Sequence, residues 1–152
     1  MPRKAHDVAP GRKKTTKASR DKATRKRLEK QLDSLWAQIA HSKAKNCQWP
    51  ACVNTERLTA HHFFHKAQGL HARWDLRNVV VLCYAHHIFQ VHTKGDTEPI
   101  RDIMIRNLGL DEFEHLKWSV RQVWKPTLDE LTDLKEEFVA ILDEMIVKET
   151  GI

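Results

Sequence analysis

Histidine and cysteine are concentrated in one part of this sequence. Ten of its thirteen His and Cys residues fall within the 46-residue window 47–92, far more than an even spread would place there. Thiolates and imidazoles are the side chains that zinc and other transition-metal ions prefer as ligands. The composition of this window therefore predicts metal-binding chemistry before any other kind.

Two pairs of residues in the window could close one tetrahedral site. Cys47 and Cys52 flank a loop that contains Pro50, and Cys83 and His86 are separated by two residues at a predicted strand-to-helix junction. A Cys3His set of this kind is typical of a structural Zn2+ site. The alternative is three reduced thiols, with Cys83 buried as a small apolar residue. Three cysteines do not make a closed disulfide framework, which favours free thiols in a reducing compartment.

A second set of histidines is not needed as ligands of the predicted zinc site. His61 and His62 are adjacent in a predicted strand, so their side chains should point to opposite sides. His87 follows His86 at the start of the next helix, where neighbours diverge by about 100°, and His92 comes five residues later. These four side chains could form a second functional site. The alternatives are ordinary surface histidines with their hydrogen bonds made, or alternative ligands of the zinc.

The elements that must position these residues follow from hydrophobic periodicity. A capping box of Thr127 and Glu130 opens the last helix, whose apolar stripe we expect to pack within the chain rather than form a dimer. Asp111 is the expected N-cap of the helix before it. The pattern predicts helices over 21–41, 84–93, 99–108, 111–118 and 127–148, strands over 57–64 and 78–82, and loops over 44–56 and 65–75.

Positive charge is concentrated at the N-terminus. Residues 1–27 carry a net charge of +9 and the remainder −3. With almost no large apolar side chain, residues 1–27 are predicted to be a disordered arm that binds the phosphates of nucleic acid. The alternatives are a solubilising tail and, more weakly, a nuclear localisation signal. The residues expected to contact nucleic acid are Lys13, Lys14, Arg25, Lys26 and Arg27 in the arm, with Lys66, Arg73 and Arg77 near the histidines.

Membrane insertion and secretion are not expected. The sequence has no run of 18 apolar residues, and its basic N-terminus lacks the apolar segment of a signal peptide.

The histidine pattern resembles a known family. His61-His62, then Asn78 at the head of a strand, then Leu82-Cys83 and His86-His87, is similar to the HNH endonucleases. The match covers roughly residues 45–95 and includes the zinc knuckles that many members carry. The segment Arg73-Trp74-Asp75-x-x-Asn78 is similar to the one that leads to this Asn in small phage-encoded members. The resemblance implies an α+β fold with a ββα-metal core, in which two antiparallel strands and a helix hold one catalytic ion.

The resemblance also implies a role for each matching residue. His62 corresponds to the general base that activates water, and Asn78 to the residue that holds the loop and orients that base. His61 and His87 correspond to ligands of the catalytic ion. His92 is a candidate third ligand, although its spacing from His87 exceeds one α-helical turn. The structural zinc would be bound by Cys47, Cys52, Cys83 and His86.

These expectations combine into one hypothesis with two alternatives. The chain is predicted to be a metal-dependent DNA endonuclease with a structural Zn2+ and a catalytic divalent ion, Mg2+ or Mn2+ before Zn2+ or Ni2+. It would act in phage recombination or DNA processing, in the cytoplasm of a bacterial host, with a recombination protein as a second partner. The alternatives are a non-catalytic zinc-binding nucleic-acid module and a recombination adaptor. The expected organisation is a basic arm (1–27), an N-terminal helix (28–46), the zinc-stapled HNH core (47–95) and a helical region (96–152).

Overall fold

The first helix is longer than its apolar stripe predicts. The computed structural model describes residues 16–151, without the side chain of residue 150, and places α1 at Lys17–Ser42. Thr16 caps α1 by accepting a hydrogen bond from the backbone N–H of Ser19 at 3.3 Å. Residues 17–27 were included in the predicted disordered arm, although a helix was predicted from residue 21. They are helical throughout, in keeping with the helix preference of Lys, Arg and Ala. Residues 1–15, with Lys13 and Lys14, lie outside the described residues.

Helix α1 packs along the last helix, α5 (Leu128–Thr150). The two helices run in the same direction, since Arg25 donates to the carbonyl of Pro126 at 2.6 Å and Ser42 contacts Met145 at the other end. Their apolar stripes bury one another, which confirms the expectation of packing within the chain. The buried residues of this cluster are Leu28, Leu32, Trp36, Ile39, Ala40, Trp74, Val79, Leu131 and Phe138.

Two short strands form an antiparallel pair. Strand β1 is Leu58–His61 and β2 is Val80–Cys83, with Leu58 opposite Cys83 and His61 opposite Val80. Both are shorter than predicted. Every residue of β2 is buried, as its β-branched composition suggests.

The connection between the strands is partly helical. A 3-10 turn at Lys66–Gln68 leads into a short helix, α2 (Leu70–Trp74). The prediction of a loop over 65–75 was therefore wrong. Ala72 and Trp74 are buried, and this tertiary burial stabilises a helix too short to form alone.

A helix follows β2 where one was predicted, but it is wound differently. His86–Thr93 is a π-helix, in which backbone bonds span five residues instead of four. At its end, the N–H of Lys94 donates to the carbonyl of Phe89 at 3.1 Å. This winding changes which side chains share a face.

Two further helices complete the molecule. Helix α3 (Glu98–Leu108) and α4 (Leu110–Ser119) meet at Gly109, whose φ of 83° favours glycine. Gly109 takes the N-cap position, so Asp111 lies in the first turn of α4 and its predicted capping role was wrong. The capping box of Thr127 and Glu130 is present as predicted. Within residues 16–151, no helix is both long and apolar enough to cross a membrane.

The core has two parts. One lies between α1 and α5, as described above. The other surrounds β2 and the π-helix and is closed by α3 and α4, through Ile100, Ile103, Met104, Phe113 and Leu116. The mixed helical and antiparallel composition confirms the predicted α+β class.

Candidate metal centres

The first candidate centre lies at the end of the strand pair. Cys47, Cys52, Cys83 and His86 each offer a ligand atom, and these atoms all lie within 4.8 Å of one another. Nδ1 of His86 is 3.2 Å from Sγ of Cys83 and 3.5 Å from Sγ of Cys47. The four residues are those that the sequence pairs off as two knuckles. They form one group that could hold a metal ion.

The cysteine loop is attached to the edge of β2. Gln48 donates its backbone N–H to the carbonyl of Val81 at 2.9 Å, and its side-chain oxygen accepts from the N–H of Val81 at 2.8 Å. Trp49 stacks on the imidazole of His86, with centroids 5.0 Å apart. These contacts hold the loop so that Cys47 and Cys52 face Cys83 and His86.

The ionisation of these thiols is set by burial and by backbone hydrogen bonds. Burial raises the pKa of Cys47 to about 11. Burial also acts to raise the pKa of Cys83, but the backbone N–H of His86 and other donors outweigh it and lower the pKa overall. Three thiols and one imidazole form the borderline-soft ligand set of structural Zn2+ sites. The residues fit such an ion, whose binding would release the thiol protons.

The second candidate centre joins β1 to the π-helix. His61, His87 and His92 offer ring nitrogens that all lie within 4.8 Å of one another. Nε2 of His87 and Nε2 of His92 are only 3.0 Å apart. Residues five apart share a face in a π-helix, which removes the spacing problem that an α-helix would have posed. His92, the doubtful ligand by sequence, therefore lies beside the other two.

In the second centre, burial favours the neutral form of two imidazoles. Burial, followed by the nearby His87 and His92, lowers the pKa of His61 to about 4. Burial and then His92 lower the pKa of His87. A neutral imidazole presents a lone pair to a cation. These nitrogen ligands fit Zn2+ or Ni2+ more naturally than Mg2+, which prefers oxygen.

His62 lies in the same pocket but in a different setting. The open cavity, about 260 Å³, is lined by His61, His62, His87 and His92 together with Ala60, His65 and Lys66. Nε2 of His62 is 2.9 Å from the backbone carbonyl of Arg73, and the imidazole stacks on Trp36. Burial lowers the pKa of His62, although its bond to Arg73 opposes the shift. A carbonyl only accepts, so Nε2 carries the proton and Nδ1 keeps the lone pair of the neutral ring.

Asn78 is completely buried beside this pocket. Its Nδ2 donates to the carbonyls of Phe64 and Ala72 at 2.8 and 2.7 Å, and its Oδ1 accepts from the N–H of Phe64 at 2.8 Å. The side chain thus joins the segment after β1 to the end of α2. Ala72 immediately precedes the residue whose carbonyl meets His62.

Two of the residues expected to contact phosphate have partners within the chain. Arg73 binds Asp33 through Nε and an NH2 group at 2.8 and 2.7 Å. Arg77 pairs with Asp75 and Glu112. Each guanidinium is therefore paired with carboxylates distant in sequence or on the adjoining turn, and its contact with phosphates stays a prediction.

Within the described part of the chain, the other basic residues expected to contact nucleic acid differ in exposure. Lys66 is exposed at the rim of the histidine pocket. On α1, Lys26 and Arg27 are exposed, whereas Arg25 is half-buried against Pro126.

The sequence reasoning missed three residues around the pocket. Trp36 belongs to the apolar stripe of α1 and is buried as expected, but its stack on His62 was not foreseen. Asp33 lies beside that stripe, and His65 lies on the pocket wall. An acidic residue adjacent to an apolar stripe was the only sequence signal for Asp33, and it does not identify a partner.

Comparison with known proteins adds no relative. No protein-family model, no curated protein and no solved structure matches this chain. The chemistry of the two candidate centres is therefore the basis for a functional proposal.

Proposed function

We propose that this chain is a metal-dependent endonuclease of the HNH type, which hydrolyses DNA phosphodiester bonds. The observation that carries the proposal is a histidine whose tautomer is fixed by a hydrogen bond, beside a group of three further histidines. His62 has one ring nitrogen bound to a carbonyl and the other free, and it shares its pocket with His61, His87 and His92.

His62 is the proposed general base. With Nε2–H directed to the Arg73 carbonyl, its Nδ1 can accept a proton from water. Its lowered pKa keeps the ring neutral, and therefore basic, at neutral pH. The same carbonyl stabilises the ring after it gains a proton, because it continues to accept the Nε2–H bond.

His61, His87 and His92 would hold the divalent ion. A bound ion would supply positive charge to the scissile phosphate and to the leaving oxygen. Lys66 at the rim would add a second positive charge for the DNA backbone. Among the residues lining this pocket none is acidic, so nothing in its wall opposes a phosphate.

The Cys3His group would hold a structural zinc in the same core. It joins the loop before β1 to the end of β2, and His86 lies next to His87 in the π-helix. The two strands and the π-helix would then form the ββα-metal core that the family resemblance implies. Zinc bound there would stabilise the π-helix that carries two ligands of the other ion.

Plasmid cleavage tests the proposal. The chain is treated with EDTA, refilled with one equivalent of Zn2+ and supplied with Mg2+, Mn2+, Ni2+ or further Zn2+. We expect ion-dependent nicking or linearisation of supercoiled DNA by the unmodified chain. Removing the base in His62→Ala should lower the rate by about 10²- to 10⁴-fold. His41→Ala, at an exposed position on α1, is the matched control and should cleave normally.

Two outcomes would contradict the proposal. Undiminished cleavage by His62→Ala would remove His62 from the reaction. Failure of the unmodified chain to cut with any ion, while it still binds DNA, would favour a non-catalytic zinc-binding nucleic-acid module.

A further inference from the structure

Helix α1 lies outside the HNH-like segment, yet it supplies one wall around His62. The indole of Trp36 stacks on the His62 imidazole with centroids 3.7 Å apart and planes inclined by 8°. Trp36 is 3% exposed, so its ring is held by packing. A nearly parallel stack this close restricts the imidazole to one plane.

Trp36 also holds the turn that carries the His62 acceptor. Its Nε1 donates to the carbonyl of Asp75 at 3.1 Å, two residues beyond the Arg73 carbonyl that meets His62. One side chain therefore contacts the ring of His62 and, through the Asp75 carbonyl, the turn whose Arg73 carbonyl accepts the His62 hydrogen bond. Substitution of Trp36 would affect both contacts together.

A second residue of α1 fixes the same turn from another side. Asp33 accepts two bonds from the Arg73 guanidinium and one from Nε1 of Trp74 at 3.0 Å. Glu29, one turn earlier on α1, is 3.5 Å from the same guanidinium. Bidentate pairs of Arg and carboxylate give geometric specificity as well as energy. The backbone of Arg73 is thus tied to α1 through its own side chain.

We propose that Trp36 is a positioning residue for the general base, and that Asp33 assists it by holding Arg73. Together they keep His62 in one plane and in the tautomer that leaves Nδ1 free. The inference rests on the proposed function for its catalytic meaning, but the ring geometry and tautomer are measurable without catalysis. Helix α1 would therefore be part of the active site.

Three variants test the inference in the full, metal-loaded chain. Trp36→Leu removes the stack and the Nε1 donor while keeping an apolar side chain. Trp36→Phe keeps an aromatic face and removes only the donor. The control is Trp124→Leu, because Trp124 packs in the same cluster and stacks on a different histidine, His71, at 5.2 Å.

The first readout is cleavage rate against DNA affinity. We expect Trp36→Leu to lower kcat by about 10- to 100-fold with little change in KM, since small misplacements of a catalytic group have effects of that order. Trp36→Phe should retain most of the rate, and Trp124→Leu should cleave normally. Asp33→Asn should lower kcat by less than Trp36→Leu.

The second readout is the tautomer of His62, from long-range ¹H–¹⁵N NMR with Zn2+ as a diamagnetic ion. His62→Gln identifies the signals. The unmodified chain should show protonated Nε2 and ring protons shifted upfield by the indole. Trp36→Leu should lose the upfield shift and show both tautomers. This readout does not need catalysis. If the unmodified chain does not cut DNA, the nuclease proposal is refuted, but the positioning of His62 by Trp36 can still be measured.

Three results would overturn the inference. The first is a rate for Trp36→Leu equal to that of the unmodified chain. The second is an equal loss of rate in Trp124→Leu, which would indicate a general effect on packing. The third is a protonated Nδ1 on His62 in the unmodified chain. If Trp36→Leu does not fold, Trp36→Phe and the unmodified chain still decide the tautomer and the upfield shift.

Discussion

At the scale of single residues, His62 and Asn78 are each held by specific hydrogen bonds to the backbone. His62 has one nitrogen bound and one free, and Asn78 uses all three of its described bonds on backbone groups. Adjacent residues serve different purposes, since His61 belongs to the three-histidine group and His62 does not. Small changes at these positions should therefore have separable effects.

The first residue-scale prediction concerns Asn78. Asn78→Asp removes both Nδ2 donors and places a carboxyl group in a completely buried position. Two unpaired carbonyls and the buried acid should lower the free energy of unfolding by about 3 kcal/mol or more. Urea unfolding measures this loss. Asn107→Asp, at an exposed position, should change stability by only about 0.5 kcal/mol. Similar losses in the two variants would contradict the buried role of Asn78.

The second residue-scale prediction concerns pH. The pKa of His61 is about 4 in the folded chain, below its usual 6.5. Below pH 6.5 the unfolded chain therefore binds a proton that the folded chain does not, so stability should fall as the pH drops from about 7 towards 4. An ion on His61 would act in the same direction. Urea unfolding at several pH values should give a flatter profile for His61→Asn, and parallel profiles would contradict the assignment.

At the scale of elements, the π-helix decides which histidines meet. Its wider turn brings His87 and His92, five residues apart, to 3.0 Å between their Nε2 atoms. The same helix begins at His86, which faces the cysteine group. One irregular helix thus contributes to both candidate centres, and π-helical turns are frequently found at functional sites.

The element-scale prediction changes the register of the π-helix. Inserting one alanine after Phe89, which is exposed, should move His92 away from His87 and His61. Metal analysis should find two bound ions in the unmodified chain, as its two ligand groups allow. It should find only one in the insertion variant. The control is an alanine inserted after Lys94, beyond the last ligand, which should preserve both. Two bound ions in the Phe89 insertion would show that the spacing is not required.

At the scale of the whole molecule, some basic side chains are ion-paired and others are exposed. Arg73 and Arg77 are paired with carboxylates, so the free positive charge of the described chain lies elsewhere, for instance on the exposed start of α1. The first turns of helix α1 and its later turns therefore have different surroundings. Its basic first turns are exposed, and its later turns carry Asp33 and Trp36 to the histidine pocket.

The whole-molecule prediction concerns the salt dependence of DNA binding. If Lys26 and Arg27 each contact a phosphate, replacing both by Gln should reduce the slope of log K against log[salt] by about 1.8. Fluorescence anisotropy with duplex DNA at several salt concentrations measures the slope. Lys125→Gln with Lys148→Gln removes the same charge from exposed positions outside α1 and should leave it nearly unchanged. Equal slopes for the two double variants would place the DNA elsewhere.

Sequence alone was enough to predict which metal-ligating side chains group together in the first centre and which helices pack. The types and clustering of His and Cys predicted the four residues of the first group, and apolar spacing predicted the helices that pack together as α1 and α5. These features are local, because ligand preference belongs to the side chain and amphipathic periodicity to a single helix. The capping box at Thr127 was predictable for the same reason.

The way these residues combine depends on the three-dimensional fold. Three contacts join groups whose approach no local pattern specifies. They are the approach of His92 to His87 in the π-helix, the pairing of Arg73 with Asp33, and the stack of Trp36 on His62. Local propensity also gave no helix at residues 70–74, which is stabilised by the burial of Ala72 and Trp74. Distances between residues far apart in sequence are set by packing of the whole core, and so is the choice between four- and five-residue hydrogen bonds.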